Sequence, residues 1–384
     1  MKTMRALHLV KTSTGATWAL RQMRELCKLG VEVHAVIPDE GPLSRVYREN
    51  GIQVHRVNCD FPLNHPWLLP GRIKRLKRLV GKVQPDLIHS HFVGTTLILR
   101  MAMRGKIKPP RIFQVPGPLH LEKTFFRTAE ISTAGPGDYW IATCRDTQKR
   151  YLAAGVAPQR VFMSYYGCDV DGFRQISERG KLRAELNIGH DTPLVGMVAY
   201  MYAPKKWAGQ IRGIKGHEDL IDAIALAAET IPDIKVVFIG GPWDGAHAYE
   251  KAIHNYARHK IPGRAYFSGT RHDVAELYPD FDVAVHPSHS ENLGGAAESL
   301  LMEIPTIAAN VGGFPDLVIP GHTGALVAPR QPVELARAIV HMMRNLEQAR
   351  QMAVRGRARV IAACDVRDTA KQVLGIYRQV LSTA

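Results

Sequence analysis

Long apolar runs are missing from this 384-residue chain. None approaches the ~20 residues that a membrane-spanning helix needs, and the N-terminal residues lack the apolar core of a signal peptide, so a cytoplasmic protein is expected. Cysteine is scarce: five residues, at 27, 59, 144, 168 and 364, odd in number and without Cys-x-x-Cys spacing. They suggest reduced, mostly buried thiols and point to neither a disulfide framework nor a zinc site. Low-complexity segments and short internal repeats are absent as well. What is left is a globular chain too long for one ordinary core and sized for two domains.

Negative charge is also scarce, but only in the first half. The formal net charge is +15; residues 1–170 hold 26 Lys+Arg against 12 Asp+Glu, and the remainder holds 24 against 23. A basic field on one domain draws anionic partners, such as a phospholipid surface, a lipid-linked diphosphate or an acidic glycan. The cations lack the interleaved aromatics of a base-stacking platform, so nucleic acid is not expected as a partner. The densest run is Arg72, Lys74, Arg75, Lys77, Arg78 and Lys82, interleaved with Ile73, Leu76, Leu79, Val80 and Val83 and preceded by Trp67-Leu68-Leu69. One reading of 67–83 is a helix lying on an anionic membrane with its apolar side chains dipping in. The plainer reading is an α/β helix with a core-facing stripe and a solvated basic face.

What is abundant is a repeating alternation of short apolar runs and amphipathic stretches. Strands are expected at Ala6–Val10, Val31–Ile37, Ile52–Val57, Leu87–His89, Ile112–Val115, Trp140–Thr143 and Val161–Tyr165. After Gly180 the pattern restarts, at Leu194–Ala199, Lys235–Ile239, Ala265–Ser268, Phe281–Val285, Thr306–Ala309 and Ala325–Val327. Continuous apolar strands separated by such helices indicate parallel sheets covered on both faces, hence two doubly wound α/β domains. Ligand crevices in such domains lie at the carboxyl ends of the strands.

The segment from His286 to Pro329 carries the most chemistry. Glu291 and Glu298 bracket the Gly294-Gly295 step, and a helix is expected over Ala296–Met302. A strand, a glycine turn and a helix N-terminus in that order form an anion site, because unpaired backbone N–H groups and the helix dipole converge there. This stretch, with Val-Gly-Gly-Phe-Pro-Asp at 311–316 and Gly-His-Thr-Gly at 321–324, resembles the donor-binding signature of the retaining GT-B glycosyltransferases of family four, the group 1 type. The resemblance implies a GT-B fold, two Rossmann-like doubly wound parallel-sheet domains facing a central cleft. It divides the chain into an acceptor-binding domain at 1–170, a nucleotide-sugar-binding domain at 171–364, and a terminal helix at 365–384 returning to the first domain.

By the same resemblance Glu298 binds the donor ribose, while Glu291, Asn292, Leu293 and Gly294 meet the sugar and diphosphate. The two Glu are seven positions apart where the family usually has eight, so Ser290 competes for the first place. Lys215, in Lys-Gly-His at 215–217, matches the family's cation on the leaving diphosphate. Cations are disfavoured at helix N-termini, which itself argues for an anionic ligand there. Where the family places an Arg after the strand at 195–199, this chain has Tyr200, followed by an insertion carrying Lys205, Lys206 and Arg212. Arg212 is the first choice as replacement cation, against a solvated loop. Gly15 in the first glycine loop could approach a phosphate. Pro116 stands where the family has a His, so His120 is the candidate beside the sugar, with a structural role for His120 or His91 equally open. Gly241, Thr270 and Arg271 resemble the loops that line the nucleotide crevice.

The implied activity is metal-independent, retaining transfer of a sugar from a nucleotide diphosphate donor, a UDP-sugar foremost. The acceptor is a hydroxyl of a glycan, a lipid-linked or a small-molecule substrate. No cofactor is expected beyond the nucleotide-sugar co-substrate, and the inner face of the membrane is one place of work the basic half allows. A nucleotide-sugar epimerase or phosphorylase on the same scaffold, or a degenerate nucleotide-sugar binder, are the alternatives.

Overall fold

The structure, a computed structural model, describes residues 3–174, 178–205 and 209–383. By its internal contacts the chain divides into two compact units: Met1–Asp169 with Ala363–Ala384, and Val170–Ala362.

In the first unit a parallel sheet has the order β3-β2-β1-β4-β5-β6-β7. Its strands are β1 (Arg5–Leu9), β2 (Glu32–Ile37), β3 (Gln53–Arg56), β4 (Leu87–Ser90), β5 (Arg111–Gln114), β6 (Asp138–Ala142) and β7 (Val161–Met163). The second unit holds β8 (Leu194–Val198), β9 (Lys235–Ile239), β10 (Ala265–Phe267), β11 (Val283–His286), β12 (Thr306–Ala309) and β13 (Ala325–Val327), in the order β10-β9-β8-β11-β12-β13. Every apolar run read as a strand forms one, with no end displaced by more than two residues. The order in each sheet reverses beside its first strand, which is the switch point where a doubly wound domain opens a crevice.

Five helices either frame the second unit's crevice or complete the first unit's core: α1 (Thr17–Lys28), α2 (Leu69–Val83), α3 (His217–Ala227), α4 (Gly294–Leu301) and α5 (Val366–Thr383). Helix α5 spends Val373, Ile376, Tyr377 and Val380 on the core of the first unit, where they join Ala19, Met23 and Leu26 from α1. A buried polar cluster fastens it further. His89 Nδ1 lies 2.6 Å from Tyr377 Oη, His8 Nδ1 lies 2.9 Å from His91 Nε2, and His91 Nδ1 lies 2.6 Å from Tyr166 Oη. Burial holds all three imidazoles neutral, His8 down to about 3 and the other two well below the ordinary value. His91 is thus enclosed in a neutral cluster inside the first unit.

Helix α2 follows the plainer of its two readings. Leu76, Leu79 and Val83 are buried in the first unit's core, with Ile73 and Val80 packed against it, so the apolar stripe meant for lipid faces inward. Lys74, Arg75, Lys77, Arg78 and Lys82 remain exposed, and Leu63, Trp67 and Leu68 are exposed beside them. Among the described residues no helix is long and apolar enough to cross a membrane.

Candidate active site

Helix α3 starts on a backbone conformation that its sequence dictates. Its cap, Gly216, has φ +76, and a Cβ there would stand 2.3 Å from the Pro287 carbonyl oxygen. Only glycine lets the chain after β11 pack against this helix start. The amide of His289 completes the contact by donating to the Ile214 carbonyl at 2.8 Å. Further along α3, Leu220, Ile221, Ile224 and Ala227 are buried, which anchors the helix in the second unit's core and leaves Lys215 at its entry.

The Lys215 ammonium forms an ion pair with the Glu291 carboxylate. Burial would lower the Lys215 pKa, but Glu291 outweighs it and raises it; burial would raise the Glu291 pKa, but Lys215 and the Asn292 amide bring it below the ordinary value. Both groups are therefore charged. Glu291 also accepts from the Asn292 amide at 3.0 Å, and Lys215 Nζ lies 5.7 Å from the centre of the Tyr202 ring.

Helix α4 begins at Gly294, two residues earlier than expected, so both glycines contribute N–H groups to its free first turn. A Cβ on Gly295 would meet the His286 ring at 2.7 Å, and the bare backbone is what allows the turn to sit down on β11. His286 Nε2 pairs with Ser299 Oγ at 3.0 Å, and burial lowers its pKa to about 4, so no cation competes from beneath. One turn on, Glu298 accepts from the Tyr278 hydroxyl at 3.3 Å.

These groups line a cavity of about 420 Å³ at the carboxyl ends of β8 to β11, a volume in the range of small-molecule sites. Lys215, Thr270, Arg271, Glu291, Gly294 and Glu298 all reach it. Gly241 stands behind Thr270, its amide donating to Thr270 Oγ1 at 3.2 Å. Asn292 and Leu293 are buried in the turn that carries Glu291. Arg271 is held by Glu185 at 2.8 Å and Asp273 at 2.6 Å, which leaves its backbone as the part free to address a ligand.

Two candidates are corrected. Arg212 is not a spare cation, because its guanidinium is spent on Asp219 at 2.5 Å and Asp222 at 2.8 Å. Asp219 in turn holds His289 at 2.5 Å, so Arg212 braces the loop instead. Of the other two cations of the insertion, Lys205 is exposed and Lys206 lies outside the described residues. His120, in the first unit, is buried, with its Nε2 2.9 Å from Tyr151 Oη and its pKa lowered to about 3 by burial. Its ring is thus enclosed within the first unit and not open at a surface. Gly15 also belongs to the first unit, in the turn where Ala16 adopts φ +64 to start α1. Residues that the sequence did not single out are Tyr202, His286, Ser288 and Tyr278. The first three flank the motifs already described, while Tyr278 comes from a turn with no signal of its own.

Residues 15–171 match the sequence profile of the family described as Glycosyltransferase Family 4, and residues 207–359 match that of Glycosyl transferases group 1. A D-inositol 3-phosphate glycosyltransferase from Mycobacterium bovis BCG is 27% identical over 315 residues, 77% of this chain and 62% of the relative. The chain thus spans less than two thirds of the length of the curated relatives it matches. Among solved structures, Anabaena HepE in complex with UDP-glucose superposes with a TM-score of 0.79 at 22% identity, over 99% of this chain and all of the other. Sucrose-phosphate synthase from Thermosynechococcus elongatus superposes with a TM-score of 0.78 at 20% identity, over 99% of this chain and 100% of that one. At these identities the likeness speaks for the fold, which is GT-B.

Proposed function

The chain belongs to the group 1 glycosyl transferases of glycosyltransferase family 4, and from that membership we propose that it transfers a sugar from a nucleotide diphosphate donor to an acceptor hydroxyl with retention of configuration. The observation that carries the reading is the Lys215–Glu291 ion pair set before the first turn of α4, with Glu298 one turn further on. A diphosphate in this cavity would meet the α4 amides and the Lys215 ammonium, and Glu298 would hold the ribose hydroxyls. UDP is the first nucleotide to test, since HepE binds UDP-glucose on a similar fold.

In this reading the acceptor oxygen bonds to the anomeric carbon as the bond to the diphosphate breaks, and the acceptor proton passes to a leaving phosphate oxygen. Lys215 and the helix N-terminus stabilise the charge that develops on the diphosphate, so the protein positions and stabilises without a general base. The same two groups supply the countercharge that a divalent metal would otherwise bring, and chelator should leave turnover unchanged. The acceptor is anionic or presented on an anionic surface, as the charge of residues 1–170 favours. A peripheral membrane contact would now use Trp67, Leu68 and the five exposed cations of α2.

The test is release of free nucleoside diphosphate on addition of acceptor, after a thermal-shift screen of UDP-, GDP-, ADP- and dTDP-sugars; a ligand at 100 times its dissociation constant adds about 2.7 kcal/mol. Acceptor-dependent release supports transfer. Release or interconversion without acceptor would favour epimerisation, and a flat screen would leave a binder that has lost its donor.

A further inference from the structure

Beyond the end of β8 the chain stays extended and clips itself to the segment after β9. The Ala199 amide donates to the Ile239 carbonyl at 2.9 Å, Met201 to Gly241 at 2.9 Å, and Trp243 to Met201 at 3.0 Å. In an extended segment side chains alternate, and here the alternation is clear. Met201 is buried in the core of the second unit, and Tyr200 and Tyr202 turn the other way, both into the cavity. Trp243 backs both rings, 5.0 Å from Tyr200 and 5.8 Å from Tyr202 between centroids. The result is a continuous aromatic wall. Tyr200 leaves 39% of its surface open, although a large ring with nothing to cover it would gain by burial.

The wall also has a definite place along the cavity. In the sheet order, the ends of β8 and β11 are separated from the end of β10 by β9. Thr270 and Arg271 follow β10, whereas Lys215 lies over the Tyr202 ring and pairs with Glu291. The Tyr202 ring therefore lies on the Lys215–Glu291 side of the cavity, across β9 from Thr270 and Arg271.

We infer that Tyr200, backed by Trp243, forms a stacking face for the donor's pyranose ring, with Tyr202 held beside it under Lys215. The inference rests on the proposed donor site. Pyranose C–H groups carry partial positive charge and suit the negative face of an aromatic ring, while the ring hydroxyls stay free for Glu291 and the backbone.

The experiment compares affinities by calorimetry for a free nucleoside diphosphate and for its hexose conjugate, using the nucleotide that binds among UDP with UDP-glucose, GDP with GDP-mannose, ADP with ADP-glucose and dTDP with dTDP-glucose. In Tyr200→Ala, the conjugate should weaken about 10-fold while the free diphosphate changes less than about 2-fold. Tyr200→Phe keeps the ring and should bind the conjugate like the parent. Equal losses for both ligands, no loss for the conjugate, or failure of Tyr200→Phe to restore binding would overturn the stacking subsite while leaving the donor site standing. Absence of binding by every nucleotide to the parent protein would overturn the donor site and this inference with it. Thermal melts of each variant distinguish a lost subsite from a lost fold.

Discussion

The ammonium of Lys215 has two claimants, the Glu291 carboxylate that holds it now and the diphosphate expected beside it. A developing negative charge on the leaving group would draw it away from Glu291, which is transition-state stabilisation rather than tight ground-state binding. Lys215→Ala is therefore expected to lower turnover by at least ~10²-fold with a smaller change in donor KM; near-normal turnover in steady-state assays would remove Lys215 from this role. Glu298→Gln is expected to do the reverse, weakening donor affinity about 10-fold with turnover less affected, as befits a ribose contact. At this scale the sequence grouped Lys215, Glu291 and Glu298 by residue type and neighbours, and the structure lines one cavity with all three. The sequence misled where a side chain's partner comes from elsewhere. Arg212 is consumed by Asp219 and Asp222, and His120 by Tyr151, pairings that no local spacing announces.

Among the elements, α3 and α4 both begin on glycines that neighbouring groups press against, the Pro287 backbone on one and the His286 ring on the other, and this coupling makes the site sensitive to a single added carbon. Gly216→Ala would force a Cβ to within 2.3 Å of the Pro287 oxygen at positive φ, and Gly295→Ala would push one to 2.7 Å from the His286 ring. Each is expected to abolish detectable nucleotide stabilisation in a thermal-shift assay, with a destabilisation of ~1–3 kcal/mol seen by chemical denaturation. Retention of full ligand response in both would mean the turn can relax. Strands were legible because a buried parallel strand is a continuous apolar run, and all thirteen runs lie in the two sheets. Helix starts were less so: α4 begins at Gly294 because tertiary packing against β11 overrides glycine's poor helix propensity. Helix α2 shows the same limit in another form. Its hydrophobic face was plain in the sequence, but the pattern alone fits a core or a lipid surface, and only the packing decides for the core.

At the scale of the molecule, buried neutral histidines set an acid limit. His8, His89, His91 and His120 in the first unit, and His217 and His286 in the second, all have pKa values lowered by burial. Unfolding returns each to about 6.5, so between that pH and the lower folded values, about 3 to 4 for His8, His120, His217 and His286, the unfolded chain binds more protons. Stability should be flat above about pH 7 and fall as pH drops toward 5, by up to ~2 kcal/mol for each histidine as an upper bound. Calorimetric melting temperatures at pH 7.5, 6 and 5 check this; a melting temperature unchanged down to pH 5 would contradict it. The charge asymmetry predicts a second whole-molecule property. Changing Lys74, Arg75, Lys77, Arg78 and Lys82 to Gln should reduce sedimentation with anionic liposomes by most of its value, and equal sedimentation would exclude α2 as the contact. The placement of α5 reaches further. Because Val373, Tyr377 and Val380 complete a core otherwise built from the first 169 residues, the first unit is interrupted in sequence by the second. On the ribosome that core must wait, at roughly 5–20 residues per second, for the whole intervening unit to be made. During that wait Ala19, Met23 and Leu26 have no lid, and a nascent chain stalled before Val366 would present them to chaperones or to one another.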